Sequence, residues 1–285
     1  MRDIKKVAVI GAGTMGHGIA QVTASAGLTV VLNDVENAMI ERGIASIGSN
    51  LDKGIAKGKV TAEQRETTLS RVRGDADIAS AVREADLVIE AVPEKMELKR
   101  EIFARVDEAA PPTAVLASNT SSLSIGEIGR ATTRPGQVVG MHFFNPVHLM
   151  PLLEVVKSDA TTDEVVECVV AVGRRIGKDP IVVRDLPGFA TSRLGVAIGL
   201  EAMRMLESGV ASAEDIDKAM TLGYRHPMGP LKLTDLVGLD VRLAIAEHLH
   251  RELGSDTFRP PEILVRMVRE GRLGKKSGRG FYHWE

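Results

Sequence analysis

The chain has 285 residues, 44% of them hydrophobic and 26% charged, with a formal net charge of −2, which suits one large or two ordinary globular domains. The near-neutral charge gives no support for binding to nucleic acid or to a membrane surface, and the single cysteine, Cys168, excludes an intramolecular disulfide and is predicted to pack in an apolar run. No apolar stretch reaches membrane-spanning length and no signal peptide precedes the first strand, so we expect a cytoplasmic protein.

The first segment of the chain combines a strand, a glycine-rich turn and a helix. The strand ends in the sequence GAGTMG, where Gly11 permits a tight turn, Gly13 lets the backbone approach a pyrophosphate, and Gly16 allows close helix–strand packing. The helix N-terminus offers unpaired N–H groups to the phosphates. Asp34 lies 18 positions after Gly16, close to the roughly 20 expected for a dinucleotide site, and can accept hydrogen bonds from both hydroxyls of an adenosine ribose. Because a 2′-phosphate would meet like charge at Asp34, the segment predicts a site for NAD rather than NADP.

Strands and helices alternate through the first two-thirds of the chain. Strands are predicted at residues 7–10, 28–32, 86–92, 114–117, 138–144, 152–156 and 181–183, and helices at 38–57, 97–109 and 163–176. Thr61 with Gln64 three residues later predicts an approximate capping box. After Pro187 and Gly188 the apolar spacing becomes helical. The sequence therefore predicts a Rossmann-type, doubly wound parallel sheet over residues 1–186 and a mostly α-helical domain over residues 187–285.

A run of small polar residues, Ser118–Ser122 (SNTSS), follows the C-terminal end of one predicted strand. Open α/β sheets bind ligands at that edge, which favours a ligand-binding role for the run. An ordinary polar turn would have the same composition, so the run alone leaves both interpretations open.

A histidine and a glutamate lie in two successive strands. His142 ends one strand, and Glu154 lies inside the next apolar run, where a carboxylate is costly without a partner. The intervening residues 145–151 contain two prolines and must redirect the chain, which can bring Glu154 alongside His142. Either residue alone suits a structural role. Together, and downstream of the dinucleotide motif, they predict a catalytic pair in which the oriented imidazole removes a proton from an alcohol.

These segments identify a resemblance. The sequence resembles the 3-hydroxyacyl-CoA dehydrogenases, especially the short bacterial 3-hydroxybutyryl-CoA dehydrogenases. The matching segments run in order along nearly the whole chain: GAGTMGHGIAQ (11–21), VIEAVPE (88–94), SNTSS (118–122), MHFFNP (141–146), PGF (187–189), EDIDKAM (214–220), HPMGP (226–230) and GKKSGRGFY (274–282). The resemblance implies an NAD-dependent oxidoreductase, an acyl-CoA substrate, no metal, and a homodimer formed through the helical domain.

The resemblance also implies a role for individual residues. His142 would be the catalytic base and Glu154 its partner, while Ser121 would hydrogen-bond the substrate oxygen and Asn145 would contact the nicotinamide side or the reacting group. The positions implied in cofactor binding are Gly11, Gly13, Thr14, Met15, Gly16, Asp34, Glu94, Lys99, Ser121, Asn145 and Lys276. The positions implied in substrate binding are Asn50, Lys53, Lys57, Ser121 and Ser192, with Lys59 adding positive charge nearby.

The chain departs from the family pattern at three positions. Ser192 stands where the family usually has asparagine, His148 where it has proline or a small residue, and Pro151 where it often has lysine. A first alternative is therefore a dehydrogenase of a small free 3-hydroxy acid or a carnitine-like alcohol, without CoA. A second alternative is a non-catalytic NAD-binding protein, as in the lens crystallin related to this family; the retained His142, Glu154 and Ser121 argue against it.

Overall fold

Short, β-branched segments form an eight-stranded sheet in the N-terminal part of the molecule. In the computed structural model, which describes residues 3–285, the strand order is β3-β2-β1-β4-β5-β6-β7-β8. The strands are β1 (Lys6–Ile10), β2 (Thr29–Asn33), β3 (Val72–Asp75), β4 (Leu87–Glu90), β5 (Val115–Ser118), β6 (Val138–Phe143), β7 (Leu152–Lys157) and β8 (Asp179–Arg184). Strands β1, β4, β5 and β6 are buried along almost their whole length, because a sheet covered by helices on both faces needs apolar side chains on both.

Six of the strands are parallel, and β7 and β8 run in the opposite direction. Strand β6 pairs with β7 in antiparallel register, and β7 pairs with β8 in parallel register. Only residues 144–151 join β6 to β7. A parallel crossover needs a dozen or more residues, so this loop can return the chain only as an antiparallel neighbour. The predicted doubly wound α/β fold is confirmed, with this reversal at one side of the sheet.

Seven helices accompany the sheet in the described part of this unit. They are α1 (Thr14–Ser25), α2 (Asn37–Ala56), α3 (Ala62–Ser70), α4 (Ile78–Val82), α5 (Met96–Ala109), α6 (Ile125–Gly129) and α7 (Asp163–Arg175), with a 3₁₀ turn at Pro135–Gln137. The predicted capping box is present: Gln64 N donates to Thr61 Oγ1, and Thr61 N donates to the Gln64 side chain. The core of the unit lies where α1 and α7 pack on the strands.

The second compact unit, Pro187–Glu285, is helical. Its elements are α8 (Thr191–Glu207), α9 (Ala213–Lys218), a π-helical turn (Ala219–Gly223), α10 (Pro230–Val237), α11 (Leu239–Leu253), α12 (Glu262–Arg269) and 3₁₀ turns at Asp256–Phe258 and Lys275–Ser277. Its own apolar core forms mainly between α8, α10, α11 and α12. None of the helices found between residues 3 and 285 is long and apolar enough to span a lipid bilayer.

A buried aspartate fixes the C-terminal segment of the helical unit. Asp235 is 1% exposed and accepts hydrogen bonds from the backbone N–H groups of Phe281 and Tyr282 and from Trp284 Nε1, at 2.8–2.9 Å. A Cβ on Gly280 would lie 2.0 Å from the Asp235 carboxylate, so only glycine fits there. The segment GKKSGRGFY therefore has an architectural function in this unit.

Candidate active site

The glycine-rich turn leaves the N-terminus of α1 open to an anion. Gly11 has a φ of 98°, and a Cβ on Gly16 would lie 1.7 Å from the Gly11 oxygen, so both positions require glycine. Gly13 is the N-cap residue, and a Cβ there would meet no heavy atom within 4 Å. No acidic residue lies in the first turn of α1, which begins at Thr14 and Met15. This open space at a helix N-terminus fits the pyrophosphate of a dinucleotide.

Asp34 lies directly after β2 and beside this turn. Its Oδ2 accepts a hydrogen bond from the backbone N–H of Ala12 at 2.7 Å, and its Oδ1 accepts one from Val35 at 2.8 Å. Each carboxylate oxygen has a second acceptor site, so Asp34 can still accept hydrogen bonds from ribose hydroxyls. The residues present therefore fit NAD.

A buried ion pair supports the next part of the sheet edge. Lys99, 1% exposed, donates from Nζ to Glu90 Oε1 at 2.6 Å, and Glu90 is itself 1% exposed. Ser118 Oγ donates to Glu90 Oε2 at 2.6 Å, and the Val92 N–H donates to Oε1 at 2.7 Å. The network joins the ends of β4 and β5 to helix α5.

Glu94 organises the SNTSS run. Its Oε1 accepts hydrogen bonds from Thr120 Oγ1 at 2.6 Å and from the backbone N–H groups of Ser121 and Ser122 at 2.9 and 3.1 Å. Burial acts to raise the pKa of Glu94, but the Lys99 charge, at 3.4 Å, and the donors on Thr120 and Ser121 outweigh it and lower that pKa. Ser121 is therefore held by a carboxylate that stays ionised.

His142 and Glu154 lie directly opposite each other on β6 and β7. Their side chains point to the same face, and His142 Nδ1 lies 2.7 Å from Glu154 Oε2. Glu154 is fully buried and His142 is 7% exposed. A carboxylate at Nδ1 selects the tautomer in which Nδ1 carries the proton and Nε2 carries the lone pair. The ring of Phe144 lies against the imidazole, with centroids 4.4 Å apart.

The SNTSS run and the histidine strand are tied together. The backbone N–H of Phe143 donates to Asn119 Oδ1 at 2.9 Å. The structure thus brings Ser121 and His142 to neighbouring strand ends at one edge of the sheet, with the glycine-rich turn at the same edge.

A cleft of about 730 Å³ opens between α1, the end of α2 and the loop after β6. Its basic lining side chains are His17, Lys53, Lys57, Lys59, His148 and Arg175. None of the residues lining the cleft is acidic. Asn50 and Asn145 also line it, and Asn50 donates to Gln21 Oε1 at 3.2 Å. The structure therefore places the predicted substrate residues Asn50, Lys53 and Lys57 in one positively charged cleft.

Two further groups shape the loop beside this cleft. Burial, followed by the charges of Lys178, His17 and Lys53, lowers the pKa of His148. Lys178, 8% exposed, donates to the carbonyl oxygens of Val147 and of Met150, the latter at 2.8 Å. Burial lowers the pKa of Lys178 as well. The sequence pointed to His148 only as a departure from the family pattern. It did not point to Lys178.

Two predicted site residues lie in the helical unit. Ser192 is the second residue of α8 and is half-buried. Lys276 forms an ion pair with Asp240 at 2.6 Å. Their predicted contacts with substrate and cofactor remain predictions.

The family models match almost the whole chain. Residues 6–186 match the 3-hydroxyacyl-CoA dehydrogenase, NAD binding domain, and residues 188–284 match the 3-hydroxyacyl-CoA dehydrogenase, C-terminal domain. The chain belongs to the 3-hydroxyacyl-CoA dehydrogenase family. This family membership confirms the predicted class, an NAD-dependent oxidoreductase, and the predicted cofactor.

Members of the 3-hydroxyacyl-CoA dehydrogenase family align over nearly the full chain. A probable 3-hydroxybutyryl-CoA dehydrogenase of Bacillus subtilis is 44% identical over 283 residues, covering 99% of this chain and 98% of the relative. A 3-hydroxybutyryl-CoA dehydrogenase of Bradyrhizobium diazoefficiens is 44% identical, covering 99% and 96%. The crystal structure of the (S)-3-hydroxybutyryl-CoA dehydrogenase of Ralstonia eutropha superposes with a TM-score of 0.96 at 40% identity, covering 99% and 100%.

Sequence reasoning missed one organising residue of the site, Glu90. It ends the apolar strand β4, where it could have been questioned on the same ground as Glu154: a buried carboxylate needs a partner. Lys99, predicted to bind the cofactor, lies 1% exposed against Glu90. Its Nζ lies 3.4 Å from Glu94 Oε2 and is not exposed at the surface.

Proposed function

We propose that this protein interconverts a short-chain 3-hydroxyacyl-CoA and the corresponding 3-oxoacyl-CoA with NAD. The substrate that its relatives favour is 3-hydroxybutyryl-CoA. The observation that carries the proposal is the pair His142–Glu154, 2.7 Å apart at the sheet edge that also bears the glycine-rich turn. Relatives at 44% identity are named 3-hydroxybutyryl-CoA dehydrogenases.

In this proposal His142 acts as the base. When bound, NAD supplies the redox chemistry by accepting the hydride from C3. His142 Nε2 takes the hydroxyl proton as the C3–O bond becomes a carbonyl, and the buried Glu154 carboxylate stabilises the resulting imidazolium. Ser121 donates to the substrate oxygen, and Asn145 contacts the reacting region. Lys99 acts indirectly, by keeping Glu94 ionised so that Glu94 can hold Ser121 and the cofactor side of the site.

The basic cleft supports CoA as the handle of the substrate. CoA carries several phosphate charges, and a cleft lined by Lys53, Lys57, Lys59 and Arg175, with no acidic side chain in its lining, attracts them. Lys53 and Lys57 at the end of α2 would contact these phosphates, with Asn50 one turn earlier. In the helical unit, Ser192 would complete the substrate contacts, a water bridging the reach that asparagine has and serine lacks.

A substrate panel tests the proposal. We expect NADH oxidation with acetoacetyl-CoA and little or none with free acetoacetate. Lys57→Ala should raise KM for acetoacetyl-CoA, more strongly at low ionic strength, and leave a truncated pantetheine thioester much less affected. Lys218→Ala, on an exposed helix of the second unit, is the matched control. Turnover of free acetoacetate in preference to the thioester would instead support the CoA-free alternative, which the loop bearing His148 and Pro151 suggested.

Cofactor choice has its own test. Asp34 should make NADH strongly preferred over NADPH, because its carboxylate would repel a 2′-phosphate. Asp34→Ala should narrow the ratio of the two kcat/KM values. Equal use of both cofactors by the unaltered protein would contradict the assigned role of Asp34.

We also propose a homodimer formed through the helical unit and a location in the cytoplasm. The first is supported by apolar side chains on α10, where Leu233, Leu236 and Val237 are each 40–41% exposed in the single chain. The second is supported by the bacterial relatives, because a bacterial enzyme of this kind meets NAD and acyl-CoA in the cytoplasm. Fractionation of cells expressing the native chain tests the location.

A further inference from the structure

A buried glutamine on α1 has a hydrogen-bond donor that the protein does not use. Gln21 is 5% exposed, and its Oε1 accepts a hydrogen bond from Asn50 Nδ2 at 3.2 Å. Its Nε2 donates to no group in the part of the chain that the structure describes. A buried amide with one unpaired end is unfavourable unless a ligand or water accepts from it.

The unused end of Gln21 opens on the cleft of about 730 Å³. Gln21 and Asn50 both line this cleft, and every residue of its lining belongs to the N-terminal unit. Nε2 is not among the fully buried side-chain atoms that lack a partner, so it reaches open space. Gln21 lies about 10.5 Å along α1 from Thr14, the first residue of the helix. This distance separates Nε2 from an anion bound at the glycine-rich turn.

Helices α1 and α2 run side by side in the same direction along the cleft. Near their starts, a Cβ on Gly43 would lie 3.0 Å from the Ala12 oxygen, and further along Asn50 contacts Gln21. Lys57, at the end of α2, follows Asn50 at a rise of about 10.5 Å. With increasing distance from the glycine-rich turn, the wall of the cleft therefore presents neutral amides first and positive charge next.

We propose that Gln21 binds an amide carbonyl of the pantetheine arm of the acyl-CoA, donating a hydrogen bond from Nε2. This inference rests on the proposed function, in which CoA occupies the cleft. Between its thioester and its phosphates, CoA carries two uncharged amide groups. In an extended arm their carbonyl carbons lie about 6 and 11 Å from the nearest phosphorus, at about 1.25 Å per bond. These lengths are comparable to the rise from Asn50 to Lys57. Asn50 holds the Gln21 amide by its oxygen, which leaves the nitrogen free to donate.

Three thioesters of acetoacetate test the inference: that of CoA, that of pantetheine, which has both amides and no phosphate, and that of ethanethiol, which has neither. Gln21→Met keeps an unbranched side chain and removes its amide. It should lower kcat/KM for the CoA and pantetheine thioesters by the same factor, roughly 3- to 10-fold, mainly through KM. The ethanethiol thioester should be unaffected. The KM for NADH should also stay unchanged, because Gln21 lies away from the glycine-rich turn.

A second variant isolates the donor. In Gln21→Glu the carboxylate has nearly the same shape and can still accept from Asn50, but it cannot donate. With the uncharged pantetheine thioester, Gln21→Glu should therefore lose about as much kcat/KM as Gln21→Met. Gln137→Met is the matched control, since Gln137 lies outside the cleft and its Nε2 donates to Pro112 O at 2.9 Å. It should leave the ratios between the three thioesters unchanged.

The unaltered protein decides the matter even if neither variant folds: equal kcat/KM for the pantetheine and ethanethiol thioesters would overturn the inference. An equal loss on all three thioesters in Gln21→Met would also overturn it, because the damage would then lie in the fold or at the reacting end. A loss confined to the CoA thioester would assign Gln21 to the phosphates instead. If the unaltered protein reduced none of the three thioesters, the proposed function would fail and the inference with it, whereas the other outcomes leave that function standing.

Discussion

At the residue scale, His142 and Glu154 show how a strand register can orient an imidazole. Their opposite positions on antiparallel strands place both side chains on one face. Glu154 is fully buried, so water does not compete with His142 for its carboxylate. The carboxylate therefore orients the imidazole without help from a flexible loop. This rigidity is what a proton acceptor needs when it must meet one hydroxyl in one geometry.

Replacing His142 by alanine should lower kcat by roughly 10²–10⁴, the usual contribution of a general base. Glu154→Gln should also lower kcat, because a neutral amide stabilises the imidazolium less well. Stopped-flow turnover measures both, and NADH titration by fluorescence is the control, since neither variant should weaken cofactor binding greatly. Near-normal turnover in His142→Ala would show that another group removes the proton.

The Lys99–Glu90 pair gives a stability prediction. Both side chains are 1% exposed, so Lys99→Met leaves a buried carboxylate without its cation and should cost about 3–5 kcal/mol of unfolding free energy. Adding Glu90→Gln should restore much of this loss, because Ser118 and the Val92 N–H can still donate. Urea unfolding measures the change.

The matched control for this pair is Arg100→Met, an exposed position on the same helix, which should change stability by less than about 0.5 kcal/mol. If the double variant were as unstable as Lys99→Met alone, the loss would come from packing of the lysine stem and not from the unpaired charge.

At the scale of elements, the loop between β6 and β7 carries Asn145 and His148 to the cleft and is held from behind by Lys178. The ammonium donates to two loop carbonyls, and the Asp179 N–H donates to Pro151 O at 2.7 Å, so the start of β8 fixes the second half of the loop. A loop tied in this way presents its cleft-facing groups in a defined position.

Lys178→Met should release the loop and leave two carbonyls without their donor. We expect a loss of about 1–3 kcal/mol in unfolding free energy and a raised KM for acetoacetyl-CoA with a smaller change in kcat. Lys157→Met removes a lysine of β7 that pairs with Asp163 away from the loop, and should leave KM unchanged. A raised KM in both variants would show that the loss of any lysine near β7 and β8 disturbs the site, and would contradict the specific role of Lys178.

The fold could be predicted from the sequence where apolar runs are long and glycines mark the turns. The strands with buried, β-branched residues and the long amphipathic helices lie within a few residues of their predicted bounds, as with α7, predicted at 163–176 and found at Asp163–Arg175. Strand β3 was missed because VRGD is polar and lies at the half-exposed edge of the sheet. The reversal of β7 and β8 was missed because strand direction depends on the length of a connection and not on the composition of the strand.

The candidate site was predictable only in part for a similar reason. His142 and Glu154 could be paired from the sequence, because a carboxylate inside an apolar strand needs a partner. Lys178 could not be interpreted in this way. Nothing in the chain around a lysine or arginine tells whether its long side chain reaches water or folds inward.

At the scale of the whole molecule, net charge and local charge differ. The chain carries a formal charge of −2, yet the cleft in the N-terminal unit has only basic charged groups in its lining. A field of this kind acts over about a Debye length, so the distribution of charge, not its sum, governs attraction of an anionic substrate.

Self-association provides the prediction for the whole molecule. Leu233, Leu236 and Val237 share one face of α10 and are 40–41% exposed, which is unfavourable for three apolar residues in a single chain. In a twofold dimer each substitution acts twice, so Leu233→Glu with Leu236→Glu would place four carboxylates in the interface. We expect the unaltered protein to sediment as a dimer and this double variant to sediment as a monomer at micromolar concentration.

Val210→Glu with Leu222→Glu is the control for the dimer. Both side chains are more exposed, at 63% and 79%, and neither lies on α10, so the charge added is the same while the proposed interface is untouched. This control should remain dimeric. Circular dichroism of both double variants shows whether the helices persist, because a monomer that has lost helicity has unfolded and has not merely dissociated. A dimer that survives the α10 substitutions would place the interface on another face of the protein, and a monomeric unaltered protein would contradict the proposed homodimer.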